Sequence, residues 1–262
     1  MFSSTVAKIE LIGSKGDVQN SGSGIFYAHY TAERSASGYI KSLACFLTCK
    51  HVLEGDPKYY RLSVQTNSQP FLKIHEIDFN ISDVVKIEHP DLDIALLYLP
   101  KIELLMGYDG NISPAFVGYQ GKYKGITHNF LTENYLPFYN AVDIKLKINT
   151  MEYGEDIFTL GFHLGDYHRN RNFENSIYLK GTSASYPLSG TLFIMQAKVN
   201  KGSSGSPVFI TKPDGTVWFL GVISEGLSQN ISHNICSVIS SYNIFLLINL
   251  LMQDLRNKKR IW

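Results

Sequence analysis

The chain has 262 residues, 44% of them hydrophobic, which is enough for a sizeable core in one large β domain or in two smaller barrels. Its formal net charge of +1 creates no global field that would attract nucleic acid or an anionic membrane. We therefore expect a globular protein that binds neither of these partners.

Short runs of β-forming residues, separated by Gly, Asn, Asp and Pro, follow one another along the chain. The helices that would connect the strands of a parallel sheet are missing. The pattern therefore predicts an all-β fold. In the first half, strands are predicted at residues 6–12, 24–30, 40–48, 60–65, 83–87 and 94–99. In the second half, they are predicted at residues 142–148, 156–161, 176–179, 191–199, 207–211, 217–224 and 235–239.

A change of composition separates the two halves. Residues 100–140 are rich in Gly, Tyr, Asn and Pro and show little periodicity, as expected of a connection between modules. With about six strands on each side, the predicted fold class is two antiparallel six-stranded β-barrels followed by a C-terminal α-helix. We predict an N-terminal barrel over residues 1–120, a C-terminal barrel over 121–240, and the helix with a basic tail over 241–262.

Neither a secretory signal nor a membrane span is predicted. The first residues lack a charged n-region and an apolar h-region, and the most apolar run, residues 244–252, is much shorter than the ~18–20 residues of a span. Cys45 and Cys49, in one predicted strand, are about 13 Å apart, too far for a disulfide. With Cys236 they show no metal-site spacing, so we expect buried free thiols in the cytoplasm, no metal and no cofactor.

The stretch KGSSGSPVF places glycines around a serine just before a predicted strand. A serine hydroxyl is a useful nucleophile only if a base accepts its proton and backbone N–H groups stabilise the resulting oxyanion. Gly202 permits a turn in which its N–H and that of Ser204 converge, and Gly205 admits a close approach. Ser203 and Ser206 are rivals that lack this flanking pair. Alone, the stretch is equally compatible with a Gly/Ser-rich hairpin loop.

Two other stretches provide the partners that such a serine needs. His51 directly follows a predicted strand and precedes an apolar pair. Asp93 immediately precedes a continuous apolar strand, where it would be partly buried and would need a hydrogen-bond donor. A histidine N–H supplies that donor. Asp91 competes with Asp93, but only Asp93 adjoins the strand.

In the order His, Asp, Ser, these stretches resemble the trypsin-like serine endopeptidases of the chymotrypsin fold. Residues 48–51 are similar to the T-A-A-H of that family, residues 93–96 are its D-I-A-L, and residues 202–207 are its G-x-S-G-x-P. Residues 22–25 resemble the G-S-G of its early hairpin. Residues 197–202 resemble the A-x-I-N-x-G of the HtrA/Deg branch, and we expect no appended PDZ domain.

The resemblance implies a chymotrypsin-like pair of barrels that cleaves protein or peptide substrates through an acyl-enzyme, with no metal or organic cofactor. Ser204 would be the nucleophile, His51 would transfer the proton, and Asp93 would orient the imidazole. The N–H groups of Gly202 and Ser204 would form the oxyanion hole.

The resemblance also places two stretches, residues 198–200 and 224–226, along the walls of the substrate cleft. The second stretch would pair with the substrate backbone as an added strand. Lys198 would favour an acidic substrate side chain and Glu225 a basic one, so no cleavage preference is predicted. The first wall consists of Lys198, Val199 and Asn200, and the second of Ser224, Glu225 and Gly226.

One feature departs from the secreted members of the family. Their freed N-terminus ion-pairs with an aspartate just before the nucleophile, whereas that position here is Ser203. A zymogen switch of this kind is therefore not expected. We hypothesise that a partner protein or ligand orders the loops around Ser204, which would make the protein a regulated intracellular protease.

Two alternative interpretations compete with that of an endopeptidase. A catalytically silent chymotrypsin-fold module could bind peptides by strand addition, although the intact His51, Asp93 and Ser204 argue against a decayed site. An esterase of the α/β-hydrolase type fails on motif order, because its serine lies in G-x-S-x-G at a strand-to-helix turn and its histidine comes last.

Overall fold

A computed structural model describes residues 6–34, 40–68, 71–106, 115–116, 139–140, 152–162, 177–185, 190–200, 202–215, 217–226 and 234–258. These residues form two β-sheets and one α-helix. The first sheet contains β1 (Val6–Ile12), β2 (Val18–Arg34), β3 (Ile40–Thr48), β4 (Tyr59–Ser68), β5 (Phe71–Asn80), β6 (Val85–Glu88), β7 (Ala95–Met106), β8 (Ala115–Phe116) and β9 (Tyr139–Asn140). The second contains β10 (Asp156–Gly161), β11 (Ile177–Ser183), β12 (Leu192–Gln196), β13 (Pro207–Thr211), β14 (Val217–Gly226) and β15 (Ile235–Ser240).

The first sheet curls around an apolar interior. Its strands run in the order β5-β4-β1-β2-β3-β7-β6, with β8 beside β7 and β9 parallel to β2. On the inner face, the rings of Phe26 and Phe46 from neighbouring strands meet edge to face at 5.1 Å. Burying such apolar faces stabilises the curled sheet by about 25 cal/mol per Å² removed from water. Other members of this interior are Ile9, Leu11, Leu62, Ile77 and Leu97.

The second sheet closes into a six-stranded barrel in the order β10-β11-β12-β15-β14-β13. Closure leaves no free sheet edge. Its interior holds Ile157, Phe193, Met195, Val208, Ile210, Leu220, Ile223, Cys236 and Val238.

A third apolar cluster joins the two sheets to the helix α1 (Ile244–Asn257). The buried residues of α1 recur every three or four positions, as in an amphipathic helix with one face on the core. Strand residues such as Leu47, Leu96, Phe209 and Val222 form the other side of this cluster. The cluster therefore fixes the positions of the loops between the two sheets relative to each other. The buried helical residues are Ile244, Leu247, Ile248, Leu251 and Leu255.

The predicted fold class is confirmed: the chain is all-β, with a closed six-stranded barrel, a curled half-barrel sheet and a C-terminal helix. The bounds predicted for β1, β3, β10 and β13 agree with the structure. The strand predicted at residues 142–148 and the domain boundary at residue 120 lie outside the described residues, so both stay predictions. Within the described residues, no helix is both long enough and apolar enough to cross a bilayer.

The first half contains one strand that the sequence does not predict and others that are longer than predicted. Strand β5 was not predicted, because charged residues such as Glu76 and Asp78 alternate with the buried Ile77 and Phe79. A strand with one solvated face lacks the continuous apolar run that marks the central strands. Strand β7 also continues to Met106, into the stretch predicted to be a connection.

Candidate active site

His51 lies at the rim of the first sheet, directly after β3, in a single 3-10 turn (His51–Leu53). Val52 and Leu53 of this turn are buried in the core of the sheet. The side chain of Asn20 donates a hydrogen bond of 2.6 Å to the His51 carbonyl oxygen. These contacts fix the backbone of the turn, while 41% of the His51 side chain remains exposed.

His51 and Asp93 contact each other through two hydrogen bonds. The His51 backbone N–H donates to Asp93 Oδ1 at 3.0 Å, and ring atom Nδ1 lies 2.6 Å from Oδ2. Because an ionised carboxylate can only accept, Nδ1 carries the proton in this pair and Nε2 is left as the basic nitrogen. The contact therefore sets both the orientation and the tautomer of the imidazole.

Asp93 stays ionised despite its partial burial. The hydroxyl of Ser224 donates a third hydrogen bond, of 2.8 Å, to Asp93 Oδ2. Burial by itself raises the pKa of the Asp93 carboxyl, but the hydrogen bonds from His51 and Ser224 outweigh it, so the pKa lies below its ordinary value. A charged carboxylate stabilises the cationic form of a neighbouring imidazole.

The loop that carries Asp93 is organised by a buried histidine, His89. Its Nδ1 accepts hydrogen bonds of 3.1 Å from the backbone N–H groups of Asp91 and Leu92. Lys50 donates to the His89 carbonyl oxygen at 3.0 Å. Burial lowers the pKa of His89, in keeping with a neutral ring that accepts these bonds. Asp91 is exposed, and its backbone rather than its side chain takes part in this arrangement.

The serine-containing loop begins with a tight turn. The Ser203 N–H donates to the Asn200 carbonyl at 3.0 Å, and Gly202 has a φ of 93°. A positive φ at this place is typical of a type II turn and favours glycine. The Asn200 N–H in return donates to the Ser203 hydroxyl at 3.1 Å. Ser203 and Ser206 are buried, whereas Ser204 is partly exposed, so the three serines of the loop differ in access to solvent.

Ser23 of the first sheet ties this loop in place. Its N–H donates to the Ser204 carbonyl at 2.9 Å, and its hydroxyl donates to the Gly202 carbonyl at 2.8 Å. The same hydroxyl accepts from the Phe162 N–H at 2.9 Å. Thr48 Oγ1 donates to the Ser23 carbonyl at 2.7 Å. One residue of strand β2 thus joins both sheets and the serine-containing loop.

Gly22 shows how closely the serine and histidine stretches approach. A Cβ atom at this position would lie 2.6 Å from Val52 Cγ2 and 3.0 Å from the Ser204 carbonyl oxygen. The backbone of Ser204 and the residue next to His51 therefore face each other across one glycine. Gly22 leaves room for an approach that a larger residue would block.

Strand β14 binds the serine-containing loop from the other side. The Gly205 N–H donates to the Ile223 carbonyl at 2.7 Å, and the Ile223 N–H donates to the Ser206 carbonyl at 2.9 Å. The Ile223 carbonyl also accepts from Cys49 Sγ at 3.1 Å. Since Ser224 follows directly, β14 connects the Asp93 carboxylate with the serine-containing loop.

A group of possible metal ligands lies within the same site. Ligand atoms of Cys49, His51 and Asp93 all lie within 4.8 Å of one another. Sequence spacing gave no sign of this group, because Asp93 is 42 residues from His51. Cys45, Cys49 and Cys236 are buried and form no disulfide, as predicted.

The six residues expected to form the cleft walls have different surroundings. Lys198 is exposed beside an open groove that Lys180 also lines, and Asn200 belongs to the tight turn. Val199 packs partly against the core of the second barrel. Glu225 and Gly226 end strand β14.

Ser224, the sixth of these residues, is buried and donates to Asp93, which lies 131 residues away in sequence. The sequence does not predict this contact. The local signal, a serine that follows buried strand residues, is too common to identify such a distant acceptor.

Comparison of the sequence with protein-family models and with curated proteins gives no match. The structure is similar to that of the Rv3671c protease from M. tuberculosis in its active form, with a TM-score of 0.52, 15% identity, and coverage of 94% of this chain and 80% of that chain. It is also similar to a thermostable serine protease, AL20, from an extremophilic microorganism, with a TM-score of 0.49, 15% identity and 91% coverage of both chains. The first likeness shows that the fold is that of the chymotrypsin-like proteases.

Proposed function

We propose that the protein is a serine endopeptidase that cleaves protein or peptide substrates through an acyl-enzyme, with His51, Asp93 and Ser204 as its catalytic residues. The observation that carries this proposal is the 2.6 Å contact between His51 Nδ1 and Asp93 Oδ2. Ser204 is partly exposed, and its backbone faces Val52, the residue next to His51, across Gly22. The order and surroundings of the three residues agree with this chemistry.

The proposed reaction follows from the tautomer of His51. With Nδ1–H directed to Asp93, Nε2 accepts the proton of Ser204 as its oxygen attacks the substrate carbonyl. Asp93 stabilises the imidazolium, which then protonates the leaving amine. Water cleaves the acyl-enzyme by the same proton transfers in reverse. None of these steps calls for a metal or an organic cofactor.

The backbone of the serine-containing loop supplies the oxyanion donors in this proposal. The N–H groups of Gly202 and Ser204 make no hydrogen bond to any part of the chain that the structure describes. Free donors on a fixed turn are suited to a developing negative charge, because they need little reorganisation during the reaction. Lys198, Val199, Asn200, Ser224, Glu225 and Gly226 remain the proposed walls of the substrate cleft.

The proposal extends to a regulated intracellular enzyme. The buried free thiols are typical of a reducing compartment. Ser203 occupies the position at which secreted relatives carry the aspartate of their activation switch, and its hydroxyl instead accepts from Asn200. An activating partner protein that contacts the loops around Ser204 would take the place of that switch.

The test is cleavage of an unstructured protein and of a peptide library by the purified protein. Ser204→Ala should lower kcat by about 10⁴-fold or more, since loss of a nucleophile removes the whole acyl-transfer route. Ser206→Ala is the matched control, because the buried Ser206 hydroxyl has no hydrogen-bond partner within the described residues and should be dispensable. A wild-type protein that binds peptides without cleaving them, both alone and with candidate partner proteins, would overturn the proposal and favour a binding module.

A further inference from the structure

The proposed mechanism leaves one side chain of the site without a role. Cys49 is fully buried beside the His51–Asp93 pair, and its Sγ donates to the Ile223 carbonyl oxygen at 3.1 Å. Its sulfur, an imidazole nitrogen of His51 and a carboxylate oxygen of Asp93 lie within 4.8 Å of one another. Three chemically different ligand atoms therefore surround one small region.

The composition of this group selects one class of cation. Thiolate, imidazole and carboxylate are the ligands that Zn²⁺ uses, whereas Ca²⁺ and Mg²⁺ require mainly oxygen ligands in larger number. Zn–S bonds of about 2.3 Å and Zn–N or Zn–O bonds of about 2.0–2.2 Å place tetrahedral ligand atoms roughly 3.4–3.6 Å apart. Separations of up to 4.8 Å would close by about 1 Å, and the 2.6 Å contact between His51 and Asp93 would open by a similar amount.

The surroundings permit such an exchange. The side chains of His51 and Asp93 are 41% and 31% exposed, so an ion can reach them from solvent. The hydroxyl of Ser224 already donates to Asp93 Oδ2 at 2.8 Å, in the way that outer hydrogen bonds orient carboxylate ligands. Binding would replace the thiol proton by the metal and release that proton to solvent, while the neutral imidazole keeps its one proton on the ring nitrogen that does not bind the ion.

We propose that Cys49, His51 and Asp93 form an inhibitory site for a thiophilic divalent cation of the Zn²⁺ and Cd²⁺ class. The bound ion holds the imidazole and the carboxylate, so His51 no longer serves as a base and Asp93 no longer stabilises its cation. Inhibition is therefore reversible by chelation and does not require the substrate cleft to be occupied. Metal binding stands independently of the proposed function, whereas the inhibition rests on it.

Binding is tested first, without any activity measurement. Co²⁺ and Cd²⁺ titrated into the full-length reduced protein should produce a thiolate charge-transfer absorption, and Zn²⁺ should abolish the cobalt band by competition. Cys49→Ala should remove the band and weaken Zn²⁺ binding by at least ~10-fold, since even outer partners of metal ligands contribute 10–100-fold. Cys45→Ala is the matched control, a buried free thiol of strand β3 that should leave the band intact.

Inhibition is tested second, as each variant's peptidase rate with Zn²⁺ relative to its own metal-free rate. Wild type and Cys45→Ala should lose activity at the same Zn²⁺ concentration and recover it with a chelator, while Cys49→Ala should need at least ~10-fold more. Equal binding or equal inhibition of Cys49→Ala and wild type would overturn the site. A thiolate band in a protein without peptidase activity, both alone and with candidate partner proteins, would uphold the metal site and overturn the proposed function instead.

Discussion

The hydroxyl of Ser23 donates a hydrogen bond of 2.8 Å to the carbonyl oxygen of Gly202, which is 179 residues further along the chain. The Ser23 N–H also donates to the Ser204 carbonyl at 2.9 Å. Gly202 and Ser204 supply the N–H groups of the proposed oxyanion hole, and the carbonyl oxygens of both residues accept hydrogen bonds from Ser23. Strand β2 therefore sets the direction in which the serine-containing loop presents its donors.

Substitution of Ser23 tests this relation. Ser23→Ala leaves the Gly202 carbonyl and the Phe162 N–H without their bonds to the hydroxyl, so unfolding free energy should fall by about 1–3 kcal/mol. We expect kcat to fall while KM changes little, because the oxyanion donors act mainly in the transition state. Ser21→Ala, on the same strand, is the control. A destabilised Ser23→Ala variant with unchanged kcat would limit Ser23 to a structural role.

Ser224 supports the ionised state of Asp93. The pKa of Asp93 lies below its ordinary value, so the bond stabilises the fold above pH ~4 and the contribution is lost as the carboxyl becomes protonated at lower pH. The difference in unfolding free energy between wild type and Ser224→Ala should therefore be about 1.5–3 kcal/mol at pH 7 and shrink below pH ~4, as measured by urea unfolding.

Ser241→Ala is the matched control for that experiment. The buried Ser241 hydroxyl donates to the Phe219 carbonyl at 3.3 Å, and a carbonyl does not titrate. Its stability difference should stay constant over the same pH range. If the difference in unfolding free energy between wild type and Ser224→Ala is equally constant over this pH range, Ser224 does not stabilise the charged form of Asp93.

Gly205 cannot carry a side chain where it lies. A Cβ atom would be 2.0 Å from the Ser23 carbonyl oxygen and 2.5 Å from Thr48 Oγ1, and the backbone has a φ of +83°. Gly215 has nearly the same φ, +80°, with nothing within 4 Å of its Cβ position. Gly215→Ala should therefore lower the unfolding free energy by about 1 kcal/mol for the backbone alone, and Gly205→Ala by a further 1–3 kcal/mol for the clash. Peptidase activity should be lost only in Gly205→Ala.

His89 makes the Asp93 loop sensitive to pH. A protonated ring cannot accept the N–H groups of Asp91 and Leu92, and the folded-state pKa of His89 lies below 6.5. Its contribution to stability is therefore complete above pH 6.5 and decreases as pH falls below that value. The stability advantage of wild type over His89→Asn should hold between pH 7.5 and about pH 6.5 and decline from there to about pH 5.5 in urea unfolding. If the stability advantage of wild type does not change over this range, contacts other than those of His89 hold the Asp93 loop in place.

Local patterns predicted the parts of the fold that depend on local chemistry. Strands β10 and β13 agree with prediction because Gly and Pro bound apolar runs that are buried in the barrel. The strand-end positions of His51 and Asp93 likewise predicted two residues that the structure brings into contact. The contacts of Ser23 and Ser224 span 131 to 179 residues, and no local pattern records them. They depend on the way two sheets pack together.

The reactivity of Ser204 in the folded protein is the most direct test of the proposed active site. Treatment with a fluorophosphonate, followed by intact mass measurement and peptide mapping, should find one adduct, on Ser204, and none on Ser203 or Ser206. His51→Ala and prior unfolding should each abolish the adduct, because only an activated serine beside working oxyanion donors reacts. A folded wild-type protein that stays unmodified both alone and with candidate partner proteins, or is modified at another residue, would contradict the account.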